Sequence, residues 1–456
     1  MPVRFDESLP RMVKVLATEL SVSEISSGVA LRDSVGRLAF FIAATVPKAK
    51  LDKITSKLRE ELGAYARTDR LVVAGDEFGV KEILEDPNRA FVLCDGMTIQ
   101  LVDRRLVGAD WIRPPSGPAL PPPRFVFASL KGGVGRSTAL CVAASHMAAR
   151  GLRVLAVDLD LEAPGLGPIL LDDATVPKFG MLDALIENGM APLEREFLTD
   201  TIGPSSLADR NGQIDVVPAL GRASLDNPGD VLAKIARAYA DDVSEGGQVS
   251  TVRDQIADVV EKLIGAKRYD AVLIDARAGL NETTAAPILG LGAEVLFFGL
   301  DDRQTSYGYS SLFAHLSRFI RPGGDMPEWA ERMTMVHAKA SADTDSRQAF
   351  SERFRDLFTS CGLAQDRRGL KSKVAPGALP FNDVPWDETA SEDVDLDLTV
   401  RDVLPVITIL DDDRFRLFEP QLRRDVLSEG IYQSSYGEFI AKVMEGFQVR
   451  DANELK

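Results

Sequence analysis

Several features that define whole classes of protein are scarce in this sequence of 456 residues. It has three cysteines and no CxxC pair, which argues against a disulfide framework or a thiolate zinc site and favours a reducing, cytoplasmic environment. No stretch reaches about 18 apolar residues, and no signal-peptide pattern opens the chain, so neither a membrane span nor secretion is expected. Basic residues are outnumbered, 53 Lys and Arg against 69 Asp and Glu, and the net charge of -16 argues against a surface that binds nucleic acid broadly.

The composition that remains, 45% hydrophobic and 27% charged, is typical of a packed globular protein. Six prolines in RPPSGPALPPPR predict a semi-rigid linker at residues 113–123, after a domain at 1–112. Periodicity in that first domain predicts a small α+β fold. Its predicted helices are at 9–20 and 48–62, and its predicted strands are at 38–44, 71–74, 90–93 and 98–102.

Beyond the linker, strand-like and helix-like segments alternate. An apolar strand at 125–128, a helix at 137–150 and a strand at 153–157 form a βαβ unit, which implies parallel strands. Further apolar strands are predicted at 214–217, 271–274, 295–298, 333–336 and 406–410. The pattern predicts an α/β domain at 124–410, with a doubly wound, mostly parallel sheet covered on both faces, followed by a helical extension at 411–456.

A glycine-rich segment, SLKGGVGRST at 129–138, links the first strand of this domain to the helix that follows. Such a loop turns backbone N–H groups around phosphate oxygens, and the helix N-terminus adds partial positive charge, so the segment predicts a P-loop. The run from Lys131 to Gly135 closely resembles the deviant Walker A signature of the ParA/MinD family of P-loop ATPases. That family tolerates a non-glycine where Leu130 stands but has lysine where this chain has Arg136.

The resemblance implies a P-loop ATPase fold with ATP and Mg²⁺ as ligands. It assigns nucleotide binding to Lys131, Gly132, Gly133, Val134, Gly135, Arg136, Ser137, Thr138 and Gly279. Residues 379–387 resemble the family's late proline-containing loop beside the nucleotide. No base-recognising asparagine follows the strand at 333–336, where His337 and Lys339 stand instead, so a preference for adenine rests on the resemblance alone.

Acidic residues follow two of the predicted strands. Asp158 and Asp160 are in D-x-D spacing, which places both side chains on the same side of an extended chain. Asp275 ends an apolar strand, as a Walker B carboxylate does. The resemblance implies that Ser137 ligates Mg²⁺, while Asp158 and Asp275 support its coordination shell. It further implies that Asp160 activates the attacking water, which makes Lys131, Asp160 and Asp275 the expected catalytic residues.

Two arginines depart from the resembled pattern. Arg136 keeps the charge of the usual lysine, but its planar guanidinium is bulkier, so nucleotide binding is expected to survive while the rate of hydrolysis stays open. Arg277 has three interpretations: a cation for the transition state, a contact for a partner, or a surface arginine.

Interactions with other molecules follow mainly from Lys131. In the resembled proteins this lysine reaches across a dimer to the partner's phosphates, which implies an ATP-dependent homodimer. A protein partner is expected to bind through the N-terminal domain. DNA binding by the basic residues at 367–373 is disfavoured against an ordinary solvated loop. The apolar positions of the C-terminal helix, including Phe439, lack a lysine-rich opposite face, so docking on the core is favoured over membrane binding.

Together these observations predict Mg²⁺-dependent ATP binding and slow hydrolysis that drive a nucleotide-switched dimer and control a partner. The alternative is a nucleotide-binding scaffold or sensor with little hydrolysis, because Arg136 replaces the P-loop lysine. A synthetase acting on a carboxylate would share the loop but needs a substrate pocket that the sequence does not identify. A tyrosine-kinase relative is disfavoured because the C-terminal region has no tyrosine cluster.

Overall fold

The fold is taken from a computed structural model of the chain. It describes residues 3–75, 77–105, 107–208, 211–243, 249–321, 324–363 and 404–451. The loop expected at 379–387 and the basic residues at 367–373 lie outside these described residues.

The N-terminal part is a five-stranded sheet with helices packed on it. Its strands are β1 Val29–Arg32, β2 Leu38–Ile42, β3 Val72–Ala74, β4 Ala90–Cys94 and β5 Met97–Asp103, in the order β3-β2-β1-β5-β4. Its helices are α1 Phe5–Glu19, α2 Val22–Ser27, α3 Lys48–Leu62 and α4 Val80–Leu84. The α+β prediction is therefore confirmed, although the periodicity missed β1 and the short helices α2 and α4. The sequence of β1, VALR, has one β-branched residue, and Ala30, Leu31 and Arg32 are good helix formers, so it gives a weak strand signal.

An eight-stranded sheet forms the centre of the rest of the described chain. Its strands are β6 Arg124–Ser129, β7 Arg153–Asp158, β8 Gly203–Pro204, β9 Gln213–Val217, β12 Ala271–Ala278, β13 Glu294–Gly299, β14 Met333–Ala340 and β15 Val406–Leu410. The order is β15-β14-β13-β6-β12-β7-β9-β8, and every pairing is parallel except that of β8 with β9. A separate short hairpin pairs β10 Asp242–Val243 with β11 Val249–Ser250.

Helices cover both faces of this sheet, as predicted. They are α5 Arg136–Ala149, α6 Leu166–Leu170, α7 Met181–Met190, α8 Arg195–Asp200, α9 Arg222–Asp226, α10 Val231–Ala238, α11 Val252–Ala266, α12 Glu282–Ala285, α13 Arg303–Leu316, α14 Glu328–Glu331, α15 Thr344–Ser360 and α16 Glu429–Asp451. Alternate residues of β6 enter two different cores. Val126 and Ala128 pack with α7, α11, α13 and α15, whereas Phe125 and Phe127 pack with α5 and α16.

The C-terminal helix α16 is part of the second core. Phe439, Ile440 and Val443 are buried there, and the Phe439 ring contacts those of Phe127 and Phe298 on the sheet. The prediction that this helix docks on the core is thus confirmed. Across the described residues, none of the helices is long and apolar enough to span a membrane.

The proline-rich linker is hydrogen-bonded to the large domain. The Arg253 side chain of α11 donates to the carbonyls of Arg113 and Pro114 and to the hydroxyl of Ser116, at 2.8–3.1 Å. The Ser116 N–H donates in turn to the carbonyl of Leu289 at 2.7 Å. The segment expected to act as a semi-rigid spacer is therefore fastened to the large domain by backbone and arginine hydrogen bonds.

Candidate functional site

The glycine-rich loop lies where β6 ends and α5 begins, at the carboxyl edge of the parallel sheet. Gly133 and Gly135 have φ values of 74° and 92°, a left-handed conformation that glycine adopts at little cost. Leu130, which stands in place of a glycine, faces Gly308 of α13 so closely that a Cβ on Gly308 would come within 2.4 Å of it. Leu130 therefore anchors the loop to α13, which accounts for this departure from the usual glycine.

Arg136 is buried beneath the loop at the first position of α5. Its guanidinium donates to the Ala276 carbonyl, and it lies 3.6 Å from an Asp160 oxygen and 3.8 Å from an Asp275 oxygen. Only 8% of the side chain is exposed. The guanidinium thus serves as a counter-ion for the two carboxylates that were predicted to be catalytic.

Ser137 and Asp275, the expected magnesium residues, are in direct contact. The Ser137 hydroxyl donates to Asp275 Oδ2 at 2.5 Å, while Asp275 Oδ1 is buried and accepts no hydrogen bond. Burial raises the pKa of Asp275, although the Arg136 charge opposes this shift. A hydroxyl beside a buried carboxylate whose second oxygen accepts no hydrogen bond fits a hard cation such as Mg²⁺.

Asp158 organises the loop that leads to Asp160. Its two carboxylate oxygens accept the N–H groups of Asp160 and Leu166, each at 3.0 Å. Burial raises the pKa of Asp158, and the neighbouring Asp275 charge adds to the rise. Burial also raises the pKa of Asp160, while Arg136 opposes it. Both carboxylate oxygens of Asp158 are therefore hydrogen-bonded within its own loop, and this loop holds Asp160 next to Arg136.

The end of β12 brings the next predicted residues to the loop. A register shift after Asp275 places Gly279 beside Ser129, and the Gly279 N–H donates to the Ser129 carbonyl at 2.9 Å. A phosphate contact from this N–H, as the resemblance implies, requires that hydrogen bond to open. Arg277 makes a two-bond ion pair with Glu162 at 2.6 Å. Arg277 thus has a partner within its own chain, on the loop after Asp160, in addition to the three roles considered from the sequence.

Lys131 is paired within its own chain. Its ammonium group donates to Asp302, which also caps α13 by accepting the N–H of Thr305 at 2.8 Å. Burial alone would raise the pKa of Asp302, but the hydrogen bonds from Lys131 and Thr305 lower it below its ordinary value. Sequence reasoning missed Asp302, although its position after β13 places it at the same sheet edge as the loop.

A cavity of about 330 Å³ lies against the loop. Residues 133–138 form one part of the lining, and another part consists of the end of β15, the segment at 411–418 that follows it, and Tyr436 of α16. The lining residues beyond 410 are Asp411, Asp412, Phe415, Arg416, Phe418 and Tyr436. Sequence reasoning missed this second part of the lining, and the domain boundary predicted at residue 410 falls inside it. Strand β15 was predicted, but nothing in the local pattern shows that its end faces the loop.

The two residues considered for base contact have different environments. His337 is buried, with its ring stacked on that of Phe350 at 3.8 Å between centroids. Lys339 is exposed, lines the cavity, and donates from Nζ to the Gly133 carbonyl at 2.6 Å. His337 is therefore a packing residue, whereas Lys339 belongs to the site.

The assembled site can bind a polyphosphate with its cation. The first-turn N–H groups of a helix have no partner within it, and the residues of the first turn of α5, 136–138, line the cavity. In the described part of the chain, no cluster of three or more His, Cys, Asp or Glu side chains could hold a metal ion by protein ligands alone. This is compatible with Mg²⁺, which is commonly held by one or two protein groups together with substrate phosphates.

Known proteins give a coarse identification of this domain. Residues 125–300 match the family model described as CobQ/CobB/MinD/ParA nucleotide binding domain. No curated protein matches the sequence. Similar solved structures include the MinD cell division protein of Aquifex aeolicus, with 14% identity, 71% of this chain and 97% of that chain covered and a TM-score of 0.42. Another is a complex of Cyanothece McdA with ATP, with 16% identity, 72% and 96% covered and a TM-score of 0.39. The septum site-determining protein MinD of Pyrococcus horikoshii, complexed with Mg-ADP, has 19% identity, 51% and 76% covered and a TM-score of 0.34.

Proposed function

Because residues 125–300 match the family model described as CobQ/CobB/MinD/ParA nucleotide binding domain, we propose that the chain is a Mg²⁺-dependent ATPase. In this proposal, ATP binding and hydrolysis switch a homodimer that controls a protein partner. The observation that carries it is the Ser137 hydroxyl bonded to the buried Asp275 carboxylate at the foot of the P-loop. In this proposal, these two groups hold the cation that accompanies the nucleotide phosphates.

Ser137 and Asp275 would hold the magnesium ion. When bound, the ion would supply positive charge that offsets the negative charge of the nucleotide phosphates. Asp275 Oδ1 supports this assignment: it is buried, accepts no hydrogen bond and has Arg136 Nε 3.8 Å away, so a bound cation would satisfy it further. Asp158 supports the site indirectly by fixing the loop that carries Asp160.

Asp160 would orient the attacking water and accept its proton. Burial raises the pKa of this carboxyl, which makes the carboxylate a better base than an exposed aspartate. The first-turn N–H groups of α5 and the loop glycines would hold the transferred phosphate in place. Catalysis is then mainly positioning and electrostatic stabilisation, as phosphoryl transfer requires.

A nucleotide-binding scaffold or sensor with little hydrolysis is the second candidate. It is favoured by one observation: the Arg136 guanidinium is bonded to the Ala276 carbonyl and faces Asp160 and Asp275. To reach a phosphate, Arg136 must give up these contacts. The resulting cost would fall on hydrolysis more than on binding, since the loop N–H groups bind phosphate independently of Arg136.

The N-terminal domain would couple the switch to a partner. Trp111, at the end of that domain, donates its Nε1–H to the Asn281 carbonyl at 2.9 Å, and the Ala109 N–H donates to Glu282 at 3.0 Å. Asn281 is two residues beyond Gly279. A conformational change of the Gly279 segment on nucleotide binding would therefore alter the contacts that Trp111 and Ala109 make with Asn281 and Glu282.

The two candidates are separated by measuring ATP affinity and ATP turnover in the wild type and in Asp160→Asn, which keeps the shape of the side chain. We expect turnover to fall by about 100-fold or more while the Kd for ATP changes little. Asp226→Asn, an exposed carboxylate on α9, is the matched control and should behave like the wild type. Equal turnover in wild type and Asp160→Asn, with ATP bound by both, would reject the ATPase and leave the scaffold.

A further inference from the structure

Lys339 has an unusual backbone conformation. Its φ is 50°, in the left-handed region that residues with a Cβ rarely occupy. Across the described residues, Asp95 is the one other non-glycine residue with positive φ, and it lies in the tight turn between β4 and β5. A strained conformation that no turn requires indicates a functional constraint at Lys339.

A bulge in β14 produces this conformation. His337 pairs with Thr408 and Ala340 pairs with Leu410, so three steps along β14 match two steps along β15. In a regular strand, His337 and Lys339 would face the same side. The extra residue instead leaves His337 buried and turns Lys339 out towards the P-loop. Bulges beside functional sites commonly redirect a side chain in this way.

The redirected ammonium group holds one specific peptide of the loop. Lys339 Nζ donates to the Gly133 carbonyl at 2.6 Å. The Gly133 carbonyl and the Val134 N–H belong to the same planar trans peptide and point in opposite directions. Holding the carbonyl therefore also holds the Val134 N–H, directed away from Lys339. A glycine at positive φ is conformationally permissive, so this peptide needs an external restraint.

We propose that Lys339 is a positioning residue for nucleotide phosphate: it locks the Gly133–Val134 peptide of the P-loop in the orientation that binds a polyphosphate. This rests on the proposed function insofar as the loop binds a nucleotide. In this proposal, Lys339 of β14 helps to order the P-loop from outside the loop. Arg136, within the loop segment, is meanwhile bonded to the Ala276 carbonyl. The ligand class that depends on Lys339 is the polyphosphate chain rather than the base.

The test compares Lys339→Gly, Lys339→Met and wild type in binding to ATP and to inorganic tripolyphosphate, each with Mg²⁺, by calorimetry. Both variants should bind both ligands about tenfold or more weakly, because a charge-assisted hydrogen bond that orders the loop is lost. Lys339→Gly also removes the unfavourable backbone conformation, so its melting temperature should be no lower than that of the wild type. Weaker binding by a protein that is no less stable cannot come from poor folding.

Asp95→Gly is the matched control, because it relieves the same backbone conformation at a turn in the N-terminal sheet. It should bind both ligands as the wild type does. Wild-type affinity in Lys339→Gly would overturn the proposal. So would weakened ATP binding with unchanged tripolyphosphate binding, which would instead make Lys339 a base contact. If the wild type binds neither ligand, the proposed function itself fails, and the role of Lys339 fails with it.

Discussion

Arg136 shows how one residue can change the chemistry of a glycine-rich loop. A lysine ammonium is a compact point charge, whereas a guanidinium is a planar fork that makes several bonds at fixed angles. In this chain the fork is occupied by the Ala276 carbonyl and by two carboxylates. The arginine therefore links the P-loop to Asp160 and Asp275 at the same time. A lysine, with one ammonium group, would make fewer of these contacts.

We expect Arg136→Lys to raise ATP turnover several-fold, because a lysine gives up fewer contacts when it turns towards the phosphates. ATP affinity should change less than turnover, since the loop N–H groups remain. Steady-state kinetics and a separate binding measurement test this, with Arg195→Lys on the exposed surface of α8 as control. Lower turnover with intact binding would instead show that the guanidinium itself assists the reaction.

At the scale of elements, the segment from Ala109 to Ala119 joins the two parts of the chain. Trp111 is 8% exposed and belongs to the same hydrophobic core as α11 and α13. The Arg113 guanidinium makes two hydrogen bonds to Asp254 of α11, at 2.8 and 2.9 Å. The end of the N-terminal domain is thus held to α11 and to the segment after β12, and these contacts connect the two parts of the chain.

Trp111→Phe should weaken this connection selectively. It keeps most of the buried apolar area but removes the hydrogen bond to Asn281, at a cost of about 1 kcal/mol. Hydrogen exchange of residues 281–290 should become faster, and the change in exchange on adding ATP should be smaller in the N-terminal domain. Trp329→Phe, on α14, is the control. Unchanged exchange at 281–290 in Trp111→Phe would contradict the proposed coupling.

At the scale of the whole molecule, the Lys131–Asp302 pair suggests how a dimer would be controlled. Within one chain, Lys131 already has a carboxylate partner. To reach phosphates on a second copy it must exchange that partner, which is favourable only when those phosphates are present. The nucleotide can shift the equilibrium only by the difference in its affinity for the two states.

Size-exclusion chromatography with ATP and Mg²⁺, in the hydrolysis-deficient Asp160→Asn background, tests this exchange. We expect a dimer-sized species that Lys131→Ala abolishes and that Asp302→Asn forms at lower ATP concentration, because Lys131 is then unpaired. Lys14→Ala, an exposed lysine on α1, should not change the elution. Elution of Lys131→Ala as a dimer with ATP would remove Lys131 from the interface.

Much of the fold was predictable because its signals are local. The βαβ unit, the alternation of strands and helices, and the apolar face of α16 are patterns of neighbouring residues. The residues of the P-loop, the Asp158–Asp160 pair and Asp275 likewise lie at the ends of recognisable strands. Local signals failed at β1, whose sequence has one β-branched residue among helix formers, and at the proline run, which gave no sign that Arg253 binds it.

The sequence by itself determined most of the longer strands, the P-loop and the acidic residues beside it, because short-range sterics and hydrophobic periodicity set local conformation. Only the tertiary structure decided that Asp302 meets Lys131, that Lys339 reaches Gly133 and that the residues after β15 close the cavity. These contacts depend on the order of strands β13, β14 and β15 beside β6. That order follows from the packing of whole apolar faces, which no short window of sequence contains.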